Sequence, residues 1–365
     1  MTSAAAAQEG RVFHTLDALR GIAAIGVVIF HMQLAFNPLG VPGGYLAVDL
    51  FFMMSGVVLS HAYEPRFQAG MGIVDFMRAR LIRLYPLYLL GTIFGIAVTL
   101  ASLRGHNSQG WDAPGLLQAA VRALFFVPNF AATPVNELFP LNIPCWSLFL
   151  ELVVNLLFVV AWPLLNLRRL IGICVLSAAV VLIAVVRGGS IDQGAVAASL
   201  PIGLARTLFG FCVGVLIARH LRHRPYRESN LQVLIISALV VVAITGAVTG
   251  VWRAGWDAVC VLIVFPLLVF WGTSVDPGPR VQQVSGFLGV TSYAIYVLHS
   301  PLASVLNSVS RVFAGGVGAV APYVGIAVLV VLLVGCWLID RWLDIPIRRH
   351  LARVVPRMRA LPTRS

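Results

Sequence analysis

The sequence predicts an all-α polytopic membrane protein, with about ten transmembrane helices and both termini in the cytoplasm. Composition is the first reason: 59% of the 365 residues are hydrophobic and 11% are charged, against roughly 25% charged in soluble domains. Repetition is the second. Apolar runs of spanning length recur along the whole chain, and a bilayer core about 30 Å thick takes about 20 helical residues to cross. The third is the placement of the arginines, which sets the orientation.

Residues 1–14 are expected to form a short cytoplasmic segment. Glu9 and Arg11 precede the first apolar run and no small-residue cleavage site follows it, so that run reads as a retained helix rather than a removed signal. The membrane domain, 15–342, is expected to place its spans at about 15–36, 44–62, 79–103, 144–165, 170–187, 200–219, 231–250, 256–274, 286–307 and 321–342. The first span holds Arg20 and His31. They stand eleven positions apart, close to three helical turns or roughly 16 Å, so both side chains share a face. Charged and titratable groups in a bilayer are costly and normally face a protein interior or a wet cavity. An arginine paired with Asp17 and a hydrogen-bonded histidine would explain them structurally; a functional pair would explain their alignment.

The second span carries Asp49 and Ser55, and Gly56 after Ser55 also suits close helix packing. Arg80 and Arg83 lie one turn apart at the inner mouth of the third, where snorkelling to headgroups is the structural alternative. A long outer loop, 104–143, follows. Within it residues 116–127 are apolar but short, interrupted by Arg122 and closed by Pro128, and are expected to lie in the interface or re-enter from the outer face. The fourth span sinks Glu151 about a turn and a half below Trp146 and Ser147. Arg206 in the sixth needs a carboxylate or a substrate, with Glu151 one candidate partner. His299 lies deep in the ninth, and a basic cytoplasmic tail occupies 343–365.

With the N-terminus inside, 20 of the 26 basic residues fall on the inner side; Arg104, Arg122, Arg187, Arg206, Arg253 and Arg311 do not. All 26 are arginine. The net charge of +12 therefore belongs to orientation, and nucleic acid is excluded as a partner. The five cysteines stand singly in apolar surroundings without a CxxC spacing, so neither a metal site nor a disulfide framework is indicated. Spans and short loops use nearly the whole chain, and no separate soluble domain is expected.

Taken in order, these motifs resemble the acyltransferase-3 family of bacterial integral-membrane acyltransferases. Arg20 and His31 match the family's arginine, ten residues, histidine. Asp49, Phe51, Phe52, Ser55 and Gly56 match its aspartate, Phe-Phe and Ser-Gly pattern. Arg80, Arg83, Tyr85 and Pro86 match its Arg-x-x-Arg and Tyr-Pro; Trp146, Ser147 and Glu151 match its Trp-Ser-Leu and glutamate; Ser292, Tyr293 and His299 match its closing motif. The match runs from about residue 13 to 350. It departs at Asp344-Ile345-Pro346, where the family carries Glu-x-Pro, and at Leu152, where a second carboxylate often stands.

The resemblance implies an O-acyltransferase of the bacterial inner membrane. It would move an acyl group, most simply acetyl, from cytoplasmic acetyl-CoA to a hydroxyl of a saccharide such as an exopolysaccharide or other cell-surface glycan. The donor is a substrate, and no tightly bound cofactor is implied. Arg20, Arg80 and Arg83 would bind the donor phosphates through their guanidinium forks. His31 would be the general base, and Glu151 would bind acceptor hydroxyls or orient His31. Asp49, Ser55, Trp146, Arg206 and His299 would contribute to acceptor binding. Direct transfer and a two-step route through an acyl-histidine both fit this placement. A transporter or flippase would use the same buried charges, although no pair of discontinuous helices in corresponding halves is evident.

Overall fold

The computed structural model describes residues 11–104, 110–222, 224–246, 248–310 and 316–354. The first ten residues, 105–109 of the outer loop, Arg311 and the tail beyond Val354 lie outside them. The protein is a helical bundle. In chain order its helices are α1 His14–His31, α2 Ala47–Gln68, α3 Ile73–Arg104, α4 Ala113–Leu124, α5 Cys145–Ala161, α6 Leu167–Gly188, α7 Leu200–Leu221, α8 Asn230–Thr245, α9 Val251–Ser274, α10 Pro279–Ser310 and α11 Tyr323–Val354.

Each of the ten predicted spans falls on one of these helices. Among the described residues, eight helical segments are long and apolar enough to cross a membrane. The other two are α8, with 16 residues, and α10, which is 32 residues long but interleaves Ser, Thr, Tyr and His with its apolar positions. Helix α4 has 12 residues, about 18 Å at 1.5 Å per residue, and is too short to cross. It is docked on α3, because the Tyr85 hydroxyl donates to its last carbonyl, Leu124 O, at 2.6 Å.

Glycine decides which helices meet most closely. On α2 Gly56 lies against the Phe211 carbonyl of α7, and on α7 Gly214 lies against the Met53 carbonyl of α2. Any Cβ there would displace backbone, so the small residues let the two helices pack at the centre of the bundle. The same device joins α1 to α10, where Gly21 abuts Leu288 and Gly289 abuts Asp17. These contacts bring the charged first half of α1 to the middle of the molecule.

Two helices contain a single wide π turn, Cys260–Val264 in α9 and Asp340–Asp344 in α11. Each ends two residues before a proline, Pro266 and Pro346. A proline offers no N–H to the carbonyl four residues back and crowds it, and a widened turn relieves both problems. In α11 the helix therefore continues through Val354, so the segment expected to begin the tail at 343 is helical. At the basic end of the bundle a two-residue parallel pairing, Arg227–Glu228 with Val275–Asp276, receives Arg11, whose guanidinium lies 3.3 Å from Asp276. At the opposite end the loop after α4 joins the loop after α6 through Leu138 N–H donating to Ala195 O at 2.8 Å.

Candidate active site

Five helices converge on one cavity of about 200 Å³. The basic half of α1 supplies Arg20. Helix α2 turns Val48, Phe51, Phe52 and Ser55 toward it, α3 supplies Arg80 and Arg83, and α5 supplies Ser147 and Glu151. From α10 come Gly289, Ser292, Tyr293 and Tyr296, which recur at helical spacing on a single face.

Glu151 is the centre of its polar wall. Its Oε1 accepts from Arg80 Nη2 at 3.0 Å and from the Ser55 hydroxyl at 2.7 Å. Asn155, one turn further along α5, sits between a donor and an acceptor. Its amide oxygen therefore faces Arg80 Nε at 3.1 Å and its nitrogen faces the Glu151 carbonyl at 3.3 Å. Arg80 is thus held on two sides by α5. Arg20 is held by Asp17 at 2.9 Å. Arg83 is the freest of the three: its side chain is 39% exposed, Asp344 Oδ2 lies 3.7 Å away, and the Tyr293 ring lies 6.0 Å beneath it. Asp344, fully buried on the π turn of α11, is also held by Arg348 at 2.8 Å.

Arg206 has the carboxylate it needs, but Glu151, one candidate for that role, does not supply it. Arg206 pairs instead with Asp49, Nε to Oδ1 at 3.0 Å and Nη2 to Oδ2 at 2.6 Å, and its remaining nitrogen donates to Gln193 O at 2.6 Å. Trp146 lies 5.6 Å from the same guanidinium. Both charged side chains are 1% exposed. Asp49, Arg206 and Trp146 form one unit joining α2, α5 and α7, and none of the three lines the cavity. The sequence places Asp49 on α2 and Glu151 on α5. Which of them faces α7 is a matter of tertiary neighbours, and the glycine contacts between α2 and α7 decide it.

His31 shares a helix face with Arg20 as expected but does not line the cavity. It is exposed at the far end of α1, with its Nδ1 against the Val27 carbonyl at 2.9 Å. Between it and the cavity stand two α10 residues. The His299 ring lies 4.9 Å from His31, centroid to centroid, and the Tyr296 ring lies 5.8 Å from His299. Tyr296 reaches the cavity wall, where its hydroxyl meets Ser147 Oγ at 2.6 Å. His299 is fully buried; its Nδ1 lies 3.2 Å from the Ile295 carbonyl and its Nε2 has no partner among the described residues. A carbonyl only accepts, so in each neutral ring the hydrogen is on Nδ1 and the lone pair on Nε2.

Of the ten candidate side chains, Arg20, Ser55, Arg80, Arg83 and Glu151 meet at the cavity. His31 and His299 form a pair just beyond it, and Asp49, Trp146 and Arg206 stand together behind the wall. Tyr296 and Asn155 were not among the candidates. Their signal is helical spacing: Tyr296 stands three residues before His299, and Asn155 four after Glu151.

Residues 13–341 match a family model described as an acyltransferase domain. The chain is 33% identical over 184 residues to protein 2 of the picA locus of Rhizobium radiobacter, covering 47% of this chain and 94% of that one. It is 29% identical over 158 residues to the O-acetyltransferase OatA of Staphylococcus aureus, covering 39% of this chain and 23% of that one. The alignment with the staphylococcal enzyme thus spans under a quarter of that protein's length. No solved structure matches the chain.

Proposed function

The chain belongs to the acyltransferase-3 family of membrane O-acyltransferases, and on that premise we propose that it transfers an acetyl group from acetyl-CoA, arriving from the cytoplasm, to a saccharide hydroxyl presented at the outer face of the bacterial inner membrane. The observation that carries this reading is the cavity. It has three guanidinium groups at one end, apolar walls from Val48, Phe51, Phe52, Val58 and Leu59, and an end close to a pair of imidazoles.

Arginine recognises phosphate through paired donors. Arg83, exposed and only loosely paired with Asp344, is the group to which the donor's phosphates bind first, with Arg20 beside it. The apolar walls accept the uncharged arm that carries the thioester. The acceptor oxygen attacks the thioester carbonyl carbon as the C–S bond breaks. His31 Nε2, beyond Tyr296 and His299 at the exposed end of α1, takes the hydroxyl proton of an acceptor that enters at that end and returns it to the thiolate of a donor whose arm reaches past Tyr296, so that an ester and a thiol leave. Glu151, already bonded to Arg80 and Ser55, holds Arg80 at the wall rather than acting as the base.

The test uses purified protein in lipid nanodiscs with acetyl-CoA and, as acceptor, surface polysaccharide isolated from a host strain lacking this protein. Thiol release matched by O-acetyl ester on the polysaccharide is the expected result. Thiol release with the ester on another class of molecule overturns the saccharide acceptor, and a protein that neither binds coenzyme A nor consumes its thioester overturns the donor.

A further inference from the structure

Two arginines reach one carboxylate oxygen at the mouth of the cavity. Arg83 Nη1 lies 3.7 Å from Asp344 Oδ2, and Arg348 Nη2 lies 2.8 Å from the same atom. Asp344 is fully buried, and its Oδ1 has no hydrogen-bond partner among the described residues. A buried charge needs compensation, so what Asp344 does not draw from Arg348 it draws from Arg83. Arg348 is shared in its turn. Its Nη2 also lies 3.3 Å from Asp340 Oδ1, at the start of the wide turn in α11, while its buried Nε has no partner among the described residues. Arg83 lines the cavity; Asp344 and Arg348 do not.

Resting on the reading of Arg83 as the group that first meets the donor's phosphates, we propose that Arg348 is a positioning residue: by occupying Asp344 it leaves Arg83 available to the donor. The contacts form a chain from Asp340 through Arg348 and Asp344 to Arg83. Coulomb attraction weakens with distance, so the guanidinium at 2.8 Å has the stronger pull on Asp344 Oδ2 and the one at 3.7 Å is held loosely. Loss of Arg348 leaves Asp344 with Arg83 as its ion-pair partner and draws that arginine away from the phosphates. Loss of Asp340 has the opposite effect, because Arg348 then turns wholly to Asp344 and the grip on Arg83 slackens. Two substitutions behind the cavity wall thus move donor affinity in opposite directions without either residue touching the donor.

Calorimetric titration of the full chain in lipid nanodiscs with coenzyme A tests this. Residues of one ion-pair network couple by about 0.5–3 kcal/mol, so Arg348→Gln is expected to weaken binding roughly three- to tenfold. Asp340→Asn is expected to tighten it roughly two- to fivefold, a direction that damage to the fold does not produce. In an Asp344→Asn background, where the shared carboxylate is gone, Arg348→Gln is expected to change affinity less than about twofold. Equal weakening by Arg348→Gln in both backgrounds overturns the proposal, since it marks Arg348 as acting on the donor directly. Unchanged affinity in Arg348→Gln overturns it as well. Should Arg348→Gln not insert, Asp340→Asn decides alone: tighter binding supports the proposal, and unchanged or weaker binding ends it. Arg83→Ala separates the premise from the inference. Undiminished binding in that variant overturns the reading of Arg83 together with the role built on it. Weakened binding there, beside a silent Arg348→Gln, overturns the role of Arg348 only.

Discussion

Arg80 and Glu151 meet at 3.0 Å in the interior of the bundle, one reaching in from α3 and the other from α5. With side chains 12% and 16% exposed, the pair is shielded enough that each depends on the other. Removing one member of a buried pair is more damaging than removing both, because it leaves an uncompensated charge that costs about 3–5 kcal/mol. Glu151→Gln and Arg80→Gln are each expected to lower the melting temperature of the purified protein. The double variant should lose less than the two combined, with a coupling of about 0.5–3 kcal/mol. Strictly additive losses would return the two residues to independent roles.

Arg206 is buried behind the cavity wall and tied into the fold. It is bonded to Asp49 through two nitrogens and to a loop carbonyl through a third, at a site where both charged side chains are buried. Arg206→Ala is expected to reduce the yield of monodisperse protein on size exclusion, at a cost of about 3–5 kcal/mol for the orphaned Asp49. Arg206→Lys should recover little, since a point charge cannot reproduce a fork. A stable Arg206→Ala protein that has lost only transfer would place Arg206 in the reaction instead.

The mouth of the cavity gives two changes of opposite sign. Hydrogen bonds to charged groups contribute about 1.5–3 kcal/mol, so Arg83→Ala is expected to weaken coenzyme A binding roughly ten- to a hundredfold. Asp344→Asn removes the carboxylate that holds Arg83 at 3.7 Å and is expected to tighten it. Calorimetric titration with coenzyme A measures both. Unchanged affinity in the two variants would assign Arg83 to membrane anchoring.

Orientation can be read directly. Reporters after Arg224 and after Ser365 are expected in the cytoplasm, and one placed between residues 105 and 129 on the outer side. That arrangement satisfies the 20-of-26 arginine asymmetry. A reporter at 105–129 found in the cytoplasm would invert half the bundle and place the donor at the wrong face.

Much of this architecture is legible in the sequence because hydropathy and helical period are local properties. Runs of spanning length appear as helices, and Arg20 and His31 share a face because eleven residues make three turns. Partner choice is not local. Arg206 finds Asp49 rather than Glu151 because Gly56 and Gly214 bring α2 against α7, a contact between residues more than 150 positions apart. Asp344 reaches Arg83 because a wide turn ahead of Pro346 carries the last helix past its expected end. His31 is separated from the cavity by side chains of α10, and helical counting along α1 contains nothing about α10.

The three arginines of the cavity have one carboxylate each: Asp17 for Arg20, Glu151 for Arg80 and Asp344 for Arg83. The resting site is therefore close to electroneutral, and a polyanion meets not a bare positive well but a set of internal counterions. Binding is then an ion exchange. Of the three carboxylates, Asp344 holds its arginine at the longest distance and has Arg348 as a second partner, so it is the one displaced at least expense. In the proposed reaction the spent thiol form of coenzyme A would carry the same phosphates as the donor. The returning carboxylate would assist its departure, which would give the last helix a part in turnover.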